Sequence, residues 1–326
     1  MGTDVIRPAY IKIPKNKFLS FNFKNLSKAI NSSISNKESF SLIHAHFGQN
    51  GVGALSLKKK LNIPLVTSFY GYDSGRLSYL FKPFYKELII NGDMFLVLSE
   101  DMKKDLLNLG FPSDKIKVQH LGINLKEFKP VPNKKKKKFT FLVVARLDKG
   151  KGVQDVMQAF SKINSLDVEL VIVGDGPYLS KLINISYNLK IQNKVKFINN
   201  FNSPNPRKVI VDEMRNSDIV LLTSFIDDIG TKEGTPVVLM EAQACGKPCI
   251  ATNHAGIPEV VIDAVTGFIV SERDVNAIYK KMLKFYNNRD LVDSMGKKAF
   301  LHIKQNFNNQ IQMQKIIDIY NKVKNI

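Results

Sequence analysis

Two glutamates separated by seven residues mark the segment of the sequence with the most groups able to do chemistry. Glu233 precedes Gly234 and Thr235, Pro236 and Val237 suit the first turn of a helix, and that helix would carry Glu241. Because a helix start has unbonded N–H groups and a positive dipole end, residues 234–237 predict a phosphate site. Glu233 would lie beside the phosphate and Glu241 would reach hydroxyls. The alternative is an ordinary capped helix with two solvent-exposed carboxylates.

A second candidate segment, residues 146–152, follows a predicted buried strand and reads Arg-Leu-Asp-Lys-Gly-Lys-Gly. Arg146 offers a planar fork and Lys151 a point charge, both of which suit a diphosphate. Gly150 and Gly152 would allow the backbone to approach it closely. A charged turn without a ligand is the alternative.

A third segment, Gly174-Asp175-Gly176 followed by Pro177, comes after the next predicted strand. It is half of a dinucleotide-binding fingerprint, because the third glycine is absent at the required spacing. Alone it is weak evidence for a nicotinamide cofactor.

The elements that must position these groups alternate between short β-branched runs and longer amphipathic segments. Strands are predicted at residues 41–47, 64–69, 94–98, 116–121, 139–145, 168–173, 195–198, 218–223, 248–252 and 267–270. Helices are predicted at residues 154–163, 177–189, 237–244, 275–286, 291–305 and 309–323. This alternation is typical of parallel sheets with helices on both faces, whose ligands bind at the carboxyl ends of the strands. We therefore expect an α/β protein with two Rossmann-like domains.

A proline- and lysine-rich segment, residues 126–138, is the best candidate for a domain boundary. It predicts a first domain over residues 1–133 and a second over residues 138–305. A last helix, within residues 309–326, is expected to pack back toward the first domain. The alternative is a long surface loop inside one domain.

Composition excludes several classes of protein. The 326 residues are 44% hydrophobic and 24% charged, which is ordinary for globular domains and excludes collagen-like and disordered chains. Two cysteines, Cys245 and Cys249, are too few for a disulfide scaffold and favour a reducing, cytoplasmic compartment. No apolar run reaches the ~18–20 residues of a membrane span.

The net charge of +19 leaves three interpretations open. Most of the excess is lysine dispersed over helix-like surfaces, which favours a solvated surface. Attraction to an anionic membrane at the inner face is the second interpretation, and nucleic-acid binding is the third. No nucleic-acid-binding motif supports the third, so we expect no nucleic-acid partner.

Together these segments resemble the retaining glycosyltransferases of family 4, which have the GT-B fold, and among them the bacterial surface-polysaccharide or colanic-acid-type subgroup. Glu233 and Glu241 match the E-x7-E motif of that family. The other matching segments are residues 146–152, 174–177, 255–259, 44–48, 68–73, 98–100 and 122–128. The resemblance covers the chain from about residue 40 to its end.

The resemblance implies transfer of a hexose from a UDP- or GDP-sugar to a saccharide or lipid-linked acceptor, with retained configuration and neither a cofactor nor a metal. Arg146 and Lys151 match the cations at the diphosphate. Glu233 matches the residue at the donor sugar, and Glu241 matches the ribose partner. The remaining substrate-binding matches are Gly174, Asp175, Gly176, Gly234, Thr235, Pro236, Val237, His46 and Tyr70.

Two departures from the family pattern, and one pair of histidines, bear on these expectations. Tyr70 stands where many relatives have histidine, which excludes an imidazole role there. His44 and His46 share a strand face, and we expect one to be packed and the other to line the cleft rather than to hold a metal together. The family also begins with a strand and a Gly-rich loop, whereas only about forty weakly patterned residues precede Phe40, so we expect an incomplete first domain. Within that segment, residues 10–14 and 18–23 could be edge strands or coil.

That last departure leaves alternatives of a different class open. The chain could be a truncated remnant that binds a nucleotide sugar without transferring it. It could instead be a basic membrane-surface or nucleic-acid-binding protein.

Overall fold

A computed structural model describes residues 40–71, 73, 82–131, 138–226 and 232–325 of the protein. The two segments before residue 40 that could be edge strands or coil lie outside the described residues. Most of the lysine run and the Asp227–Asp228 pair, which the sequence favours as a loop rather than a metal site, also lie outside them.

The chain divides into two compact units, and the division falls between Gln119 and His120. The first unit comprises the chain up to Gln119 together with residues from Gln314 onward, and the second comprises residues 120–313. The sequence predicts the boundary within the proline- and lysine-rich segment. The structure places it before that segment.

The reason is that residues 120–131 pack onto the second unit. The Phe128 side chain is fully buried, and Ile123 N–H donates to Phe307 O at 2.7 Å. The Arg215 guanidinium donates to Glu127 O at 2.9 Å. A proline-containing segment can be held firmly by side-chain burial even where it forms no regular element.

The described part of the first unit is a four-stranded parallel sheet in the order β1-β2-β3-β4. The strands are β1 (Ile43–His46), β2 (Leu65–Ser68), β3 (Met94–Val97) and β4 (Ile116–Val118). The helices are α1 (Gly48–Leu61), α2 (Lys82–Asn91) and α3 (Glu100–Leu109). Helix α3 has Ser99 as its N-cap and ends at Gly110 in the left-handed conformation, two signals that sequence alone provides.

The last helix, α11 (Asn309–Lys324), ends on the sheet of the first unit. Val323 packs with Val66 and Leu96, and Ile319 and Tyr320 lie against the same cluster. The carboxyl end of the chain is thereby part of the first unit, although that unit is otherwise built from the other end of the sequence.

The second unit is a six-stranded parallel sheet in the order β10-β9-β8-β5-β6-β7. The strands are β5 (Phe139–Val144), β6 (Val168–Val173), β7 (Val195–Ile198), β8 (Ile219–Leu222), β9 (Cys249–Thr252) and β10 (Gly267–Val270). The helices are α4 (Val153–Ser161), α5 (Leu179–Asn188), α6 (Pro206–Asn216), α7 (Val237–Ala244), α8 (Ile257–Val260), α9 (Val275–Tyr286) and α10 (Arg289–Asn306). The strand order reverses at β5, and ligand sites in open α/β sheets form at such a reversal.

Alternation along β5 supplies two cores, one on each face of this sheet. Phe139, Phe141 and Val143 belong to one buried cluster, whereas Leu142 and Val144 belong to the other. Because both faces are covered, the strand is a nearly continuous apolar run in which Thr140 is also buried. The sheet is therefore a rigid support for the loops at its carboxyl edge.

Among the described residues, no helix is both long enough and apolar enough to span a bilayer.

Candidate active site

The second residue after every strand of the six-stranded sheet is polar or charged. These six residues are Arg146, Asp175, Asn200, Ser224, His254 and Glu272. In a parallel sheet all strands end at the same edge, so the six side chains are brought to one side of the second unit. This edge is where the chemistry expected from the sequence would have to take place.

Lys151 and Glu233 meet at this edge. Lys151 lies in a short 3-10 turn after β5, and its Nζ forms an ion pair with Glu233 Oε1. Ser224 Oγ donates to the same oxygen at 2.8 Å. Burial raises the pKa of Glu233, but the Lys151 ammonium and the Ser224 hydrogen bond outweigh it and bring the pKa below its ordinary value. The Glu233 carboxylate is therefore ionised at neutral pH.

Arg146 faces the same space from the end of β5. A cavity of about 190 Å³ is lined by Arg146, Asp148, Lys149, Gly150, Lys151, Ser224, Phe225, Lys232, Glu233 and His254. The Arg146 side chain is 76% exposed and forms an ion pair with Asp148. The cavity thus joins the two cations expected at the diphosphate with the carboxylate expected beside it.

A larger cavity of about 580 Å³ adjoins the first, and Arg146 lines both. Gly174, Asp175 and Gly176 form one wall of it, and Phe201 contributes an exposed ring. Asp175 is held by Asn199, whose amide donates to Asp175 Oδ2 at 3.0 Å. The half-fingerprint seen in the sequence therefore lines a cavity wide enough for a nucleoside.

Gly174 and Gly152 allow close packing between neighbouring loops at the carboxyl edge of the sheet. A Cβ at Gly174, where φ is +146°, would lie 1.9 Å from Ala145 O, and one at Gly152, where φ is +68°, would lie 2.0 Å from Thr223 O. Both glycines let neighbouring strand-end loops pack against each other. This packing helps to determine the shape of the cavity walls.

Glu241 occupies an environment that the sequence did not predict. It is 4% exposed, and its Oε1 accepts from Arg207 Nη1 at 2.6 Å. Arg207 also binds Glu127 at 3.0 Å and lies over the Phe128 ring. Burial raises the pKa of Glu241 even though Arg207 lowers it. The described residues that line the two cavities do not include Glu241.

The residues between the two glutamates form the start of α7. The sequence predicts Pro236 in the first turn of this helix. The helix begins at Val237, so Pro236 is instead its N-cap. Thr235 and Pro236 are buried, and Val237 is exposed. Gly234 follows Glu233 directly, so the start of this helix comes only a few residues after a residue that lines the smaller cavity.

Of the two histidines of β1, one is packed and the other is exposed. His44 lies between Ser68 and Tyr320, with Nε2 2.7 Å from Ser68 Oγ and Nδ1 2.5 Å from Tyr320 Oη. His46 is exposed, and its Nδ1 is hydrogen-bonded to Tyr70 Oη. Among the described residues, no group of three His, Cys, Asp or Glu side chains is placed to hold a metal ion.

His44 should make the first unit sensitive to acid. Burial, with a smaller effect of the neighbouring His46, lowers the pKa of His44 to about 4. Between pH 6.5 and 4 His44 is protonated in the unfolded chain but largely unprotonated in the folded protein. The free energy of unfolding therefore decreases as the pH falls through that window, by about 1–3 kcal/mol. We expect the drop in melting temperature from pH 7 to pH 5 to be smaller in His44→Asn than in the wild type. An equal drop would contradict the assignment.

The residues of the site region that sequence reasoning missed include Ser224, His254, Glu272 and Arg207. The first three share a recognisable signal, since each is the second residue after a strand that was itself predicted. Arg207 gave no such signal, because its partner Glu241 is remote in sequence and on another helix.

Comparison with known proteins decides the family. The family model described as "Glycosyl transferases group 1" matches residues 125–302, more than half of the chain. This chain belongs to the group 1 glycosyl transferases. A second model, described as "Glycosyltransferase Family 4", matches residues 2–127 of this glycosyltransferase. The expected resemblance is thereby confirmed.

Curated relatives of this glycosyltransferase include enzymes of bacterial polysaccharide synthesis. It is 30% identical over 275 residues to the putative colanic acid biosynthesis glycosyltransferase WcaL of Escherichia coli, covering 82% of this chain and 67% of WcaL. It is 29% identical to the amylovoran biosynthesis glycosyltransferase AmsK of Erwinia amylovora, covering 88% of this chain and 72% of AmsK. The chain thus spans about two thirds of the length of these relatives.

Solved structures confirm the fold of the glycosyltransferase. A glycosyltransferase from Rickettsia africae matches with a TM-score of 0.79 at 24% identity, covering 96% of this chain and 84% of that one. Anabaena Alr3699/HepE in complex with UDP matches with a TM-score of 0.77 at 18% identity, covering 93% and 82%. At these identities the likeness establishes the GT-B fold alone.

Proposed function

We propose that this glycosyltransferase moves a hexose from a nucleotide diphosphate sugar to a saccharide or lipid-linked saccharide with retention of configuration, as a step in bacterial polysaccharide synthesis. One observation carries the proposal. Arg146, Lys151 and Glu233 line one small cavity that adjoins, through Arg146, a larger cavity over Gly174 and Gly176. The relatives named for colanic acid and amylovoran synthesis support the polysaccharide context.

The two cavities suggest how a donor would bind. A nucleoside suits the larger cavity, where Phe201 offers an apolar ring and Asp175 and Asn200 offer polar groups. The diphosphate would then pass Arg146 into the smaller cavity and approach Lys151. Anabaena HepE, which has this fold, was solved with UDP and with UDP-glucose, which supports a uridine donor.

The chemistry in this model is stabilisation of a leaving group. The bond between the sugar C1 and the diphosphate oxygen breaks, and the acceptor oxygen bonds to C1 on the same face. The acceptor proton passes to the departing phosphate oxygen. Arg146 and Lys151 stabilise the negative charge that develops on that oxygen, which is commonly the largest contribution to catalysis.

Glu233 would face the donor sugar as an ionised carboxylate. Its pKa is held down by Lys151, so it can accept hydrogen bonds from sugar hydroxyls and stabilise positive charge at the anomeric carbon. Glu241 keeps its proposed role as the ribose partner in a modified form. A ribose hydroxyl would approach a carboxylate that Arg207 already neutralises.

The remaining roles stay predictions. His46 and Tyr70 form a hydrogen-bonded pair on the first unit and are proposed to contact substrate, and a lipid-linked acceptor would make a peripheral membrane contact useful. The donor chemistry proposed here uses protein cations where other enzymes use a metal. Product formation after prolonged treatment with a chelator would test that feature.

Arg146→Ala should weaken UDP binding about 10- to 100-fold, the equivalent of about 1.5–3 kcal/mol for a hydrogen bond to a charged group. Its high exposure keeps the expected loss below that for a desolvated pair. Arg146→Lys should recover only part of it, because an ammonium lacks the fork. Arg289→Ala is the matched control, since Arg289 stacks on Phe139 at the other end of β5. Equal UDP affinity in Arg146→Ala and the wild type, measured by calorimetry, would remove Arg146 from the site.

The proposal as a whole is tested by turnover. The protein is incubated with a panel of UDP- and GDP-sugars and candidate acceptors, released nucleotide is measured, and the anomeric configuration of the product is read by NMR. Retention with one donor is the expected result. Nucleotide-sugar binding without turnover would support the remnant interpretation, and an inverted product would contradict the mechanism.

A further inference from the structure

His254 connects the Glu233 backbone to the strand ends of the sheet. The loop that contains it follows β9, and its side chain is 2% exposed. The Glu233 amide donates to His254 Nε2 at 3.1 Å, and His254 Nδ1 lies 2.7 Å from Glu272 Oε1. Glu272 in turn follows β10 and accepts the Ile226 N–H at 3.2 Å through its other oxygen.

These partners determine where the imidazole proton is. The Glu272 carboxylate is the acceptor at this contact, so Nδ1 carries the hydrogen. The Glu233 amide can only donate, so Nε2 presents a lone pair. The two contacts are satisfied together only by the neutral Nδ1–H tautomer, because the hydrogen bond at one ring nitrogen sets the state of the other.

The turn at residues 254–256 also holds the backbone carbonyl of Glu233. Gly256 N–H donates to Glu233 O at 3.4 Å. Between the two contacts Ala255 adopts a left-handed φ of 45°, a conformation that costs energy for a non-glycine residue and persists only where surrounding contacts impose it. Both backbone polar groups of Glu233 are therefore held by residues 254–256.

The Glu233 side chain is also held by residues at the strand ends. Ser224 Oγ donates to its carboxylate, and Ser224 O accepts from Thr252 Oγ1 at 2.5 Å. The ends of β8, β9 and β10 thus converge on one glutamate. A carboxylate that must face a reacting sugar needs this kind of support, since a misplacement of about 1 Å can cost about 100-fold in rate.

We propose that His254, oriented by Glu272, is a positioning residue for sugar transfer that fixes the backbone of Glu233 through Nε2. The inference rests on the proposed function of Glu233 at the donor sugar. It assigns His254 no proton transfer and no contact with the reacting atoms.

Two substitutions separate this role from simple packing. The His254→Gln side chain ends near the position of Nε2, so its carbonyl can accept the Glu233 amide. The His254→Asn side chain ends near the position of Nδ1, so it keeps a donor for Glu272 and leaves the Glu233 amide without its partner. His302→Asn, on α10, is the control for replacing a partly buried histidine away from the cavity.

We expect His254→Asn to lower kcat about 10- to 100-fold, with UDP affinity and the donor KM within about threefold of the wild type. His254→Gln should retain at least about ten times the kcat of His254→Asn. Equal kcat in the two variants, or a loss of UDP binding that parallels the loss of kcat, would overturn the inference.

NMR of the wild-type protein labelled with 15N tests the geometry independently of activity. The expected result is a protonated Nδ1, a bare Nε2, and a scalar coupling across the hydrogen bond between Glu233 N and His254 Nε2. A protonated Nε2 would overturn the inference. A wild type with this geometry that transfers no sugar from any donor would instead overturn the proposed function, so the two failures are distinguishable.

Discussion

Glu233→Gln should lower kcat for sugar transfer about 100- to 1000-fold while UDP binds within a few-fold of the wild-type affinity. Glutamine keeps the size of the side chain and removes the charge that would face the anomeric carbon in the transition state. Loss of one preorganised electrostatic contact in an active site typically has this effect, about 2.7–4 kcal/mol. Initial rates with a saturating donor, together with UDP calorimetry, provide the measurement.

The control for this change is Glu87→Gln on α2 of the first unit, where the glutamate bonds only to the neighbouring Asn91 among the contacts described for it. It should leave kcat within twofold. A Glu233→Gln enzyme with wild-type kcat would remove Glu233 from the reaction, and a parallel loss of UDP binding would show a role in binding alone.

Lys151→Met should weaken UDP binding by about 2–5 kcal/mol, about 30- to 4000-fold, and transfer should fall with it. The methionine keeps much of the apolar stem and removes the ammonium that would neutralise the diphosphate. Lys162→Met, after α4 on a surface contact with Asn276, is the matched control and should bind UDP normally. Wild-type UDP affinity in Lys151→Met would contradict the proposed diphosphate site.

The same substitution has a second consequence with a definite sign. In the wild type Lys151 keeps the pKa of Glu233 below its ordinary value, so the stability from this pair is present at neutral pH and is lost as acid protonates Glu233. Without Lys151, burial raises that pKa above the value in the unfolded chain. The melting temperature of Lys151→Met should therefore lie below that of the wild type at pH 7, and the difference between the two proteins should be smaller at pH 5. The double variant with Glu233→Gln should not show this recovery.

The sheets could be predicted well from the sequence, and the reason is physical. All ten strands were found, because most are short runs rich in apolar residues, and some, such as Met94–Val97 and Ile219–Leu222, are buried along their whole length. Three strands, including Val168–Val173, had the observed limits. The other limits differ by one to three residues at the ends. Helices α1, α2, α3, α6 and α8 were not predicted. For α6 the reason is that Pro206–Asn216 is rich in charged residues and follows a proline-containing loop, although Asn205 and Pro206 are an N-cap signal.

The candidate site could be predicted only in part. Arg146, Lys151 and Glu233 could be placed together, since two of them follow β5 and the third precedes a helix start at the same sheet edge. The Arg207–Glu241 pair and the His254–Glu272 pair could not, because each joins residues brought together by tertiary packing alone. The domain boundary was misplaced for a similar reason, since burial of Phe128 decides where residues 120–131 belong.

The most direct test of the central claim is a crystal structure of the wild-type protein with UDP bound. The account predicts that the β-phosphate lies in the cavity between Arg146, Lys151 and Glu233, within hydrogen-bond distance of Lys151 Nζ, with the uridine over Gly174 and Gly176. A fully occupied UDP whose phosphates lie outside this cavity, or whose uridine binds elsewhere on the second unit, would contradict it.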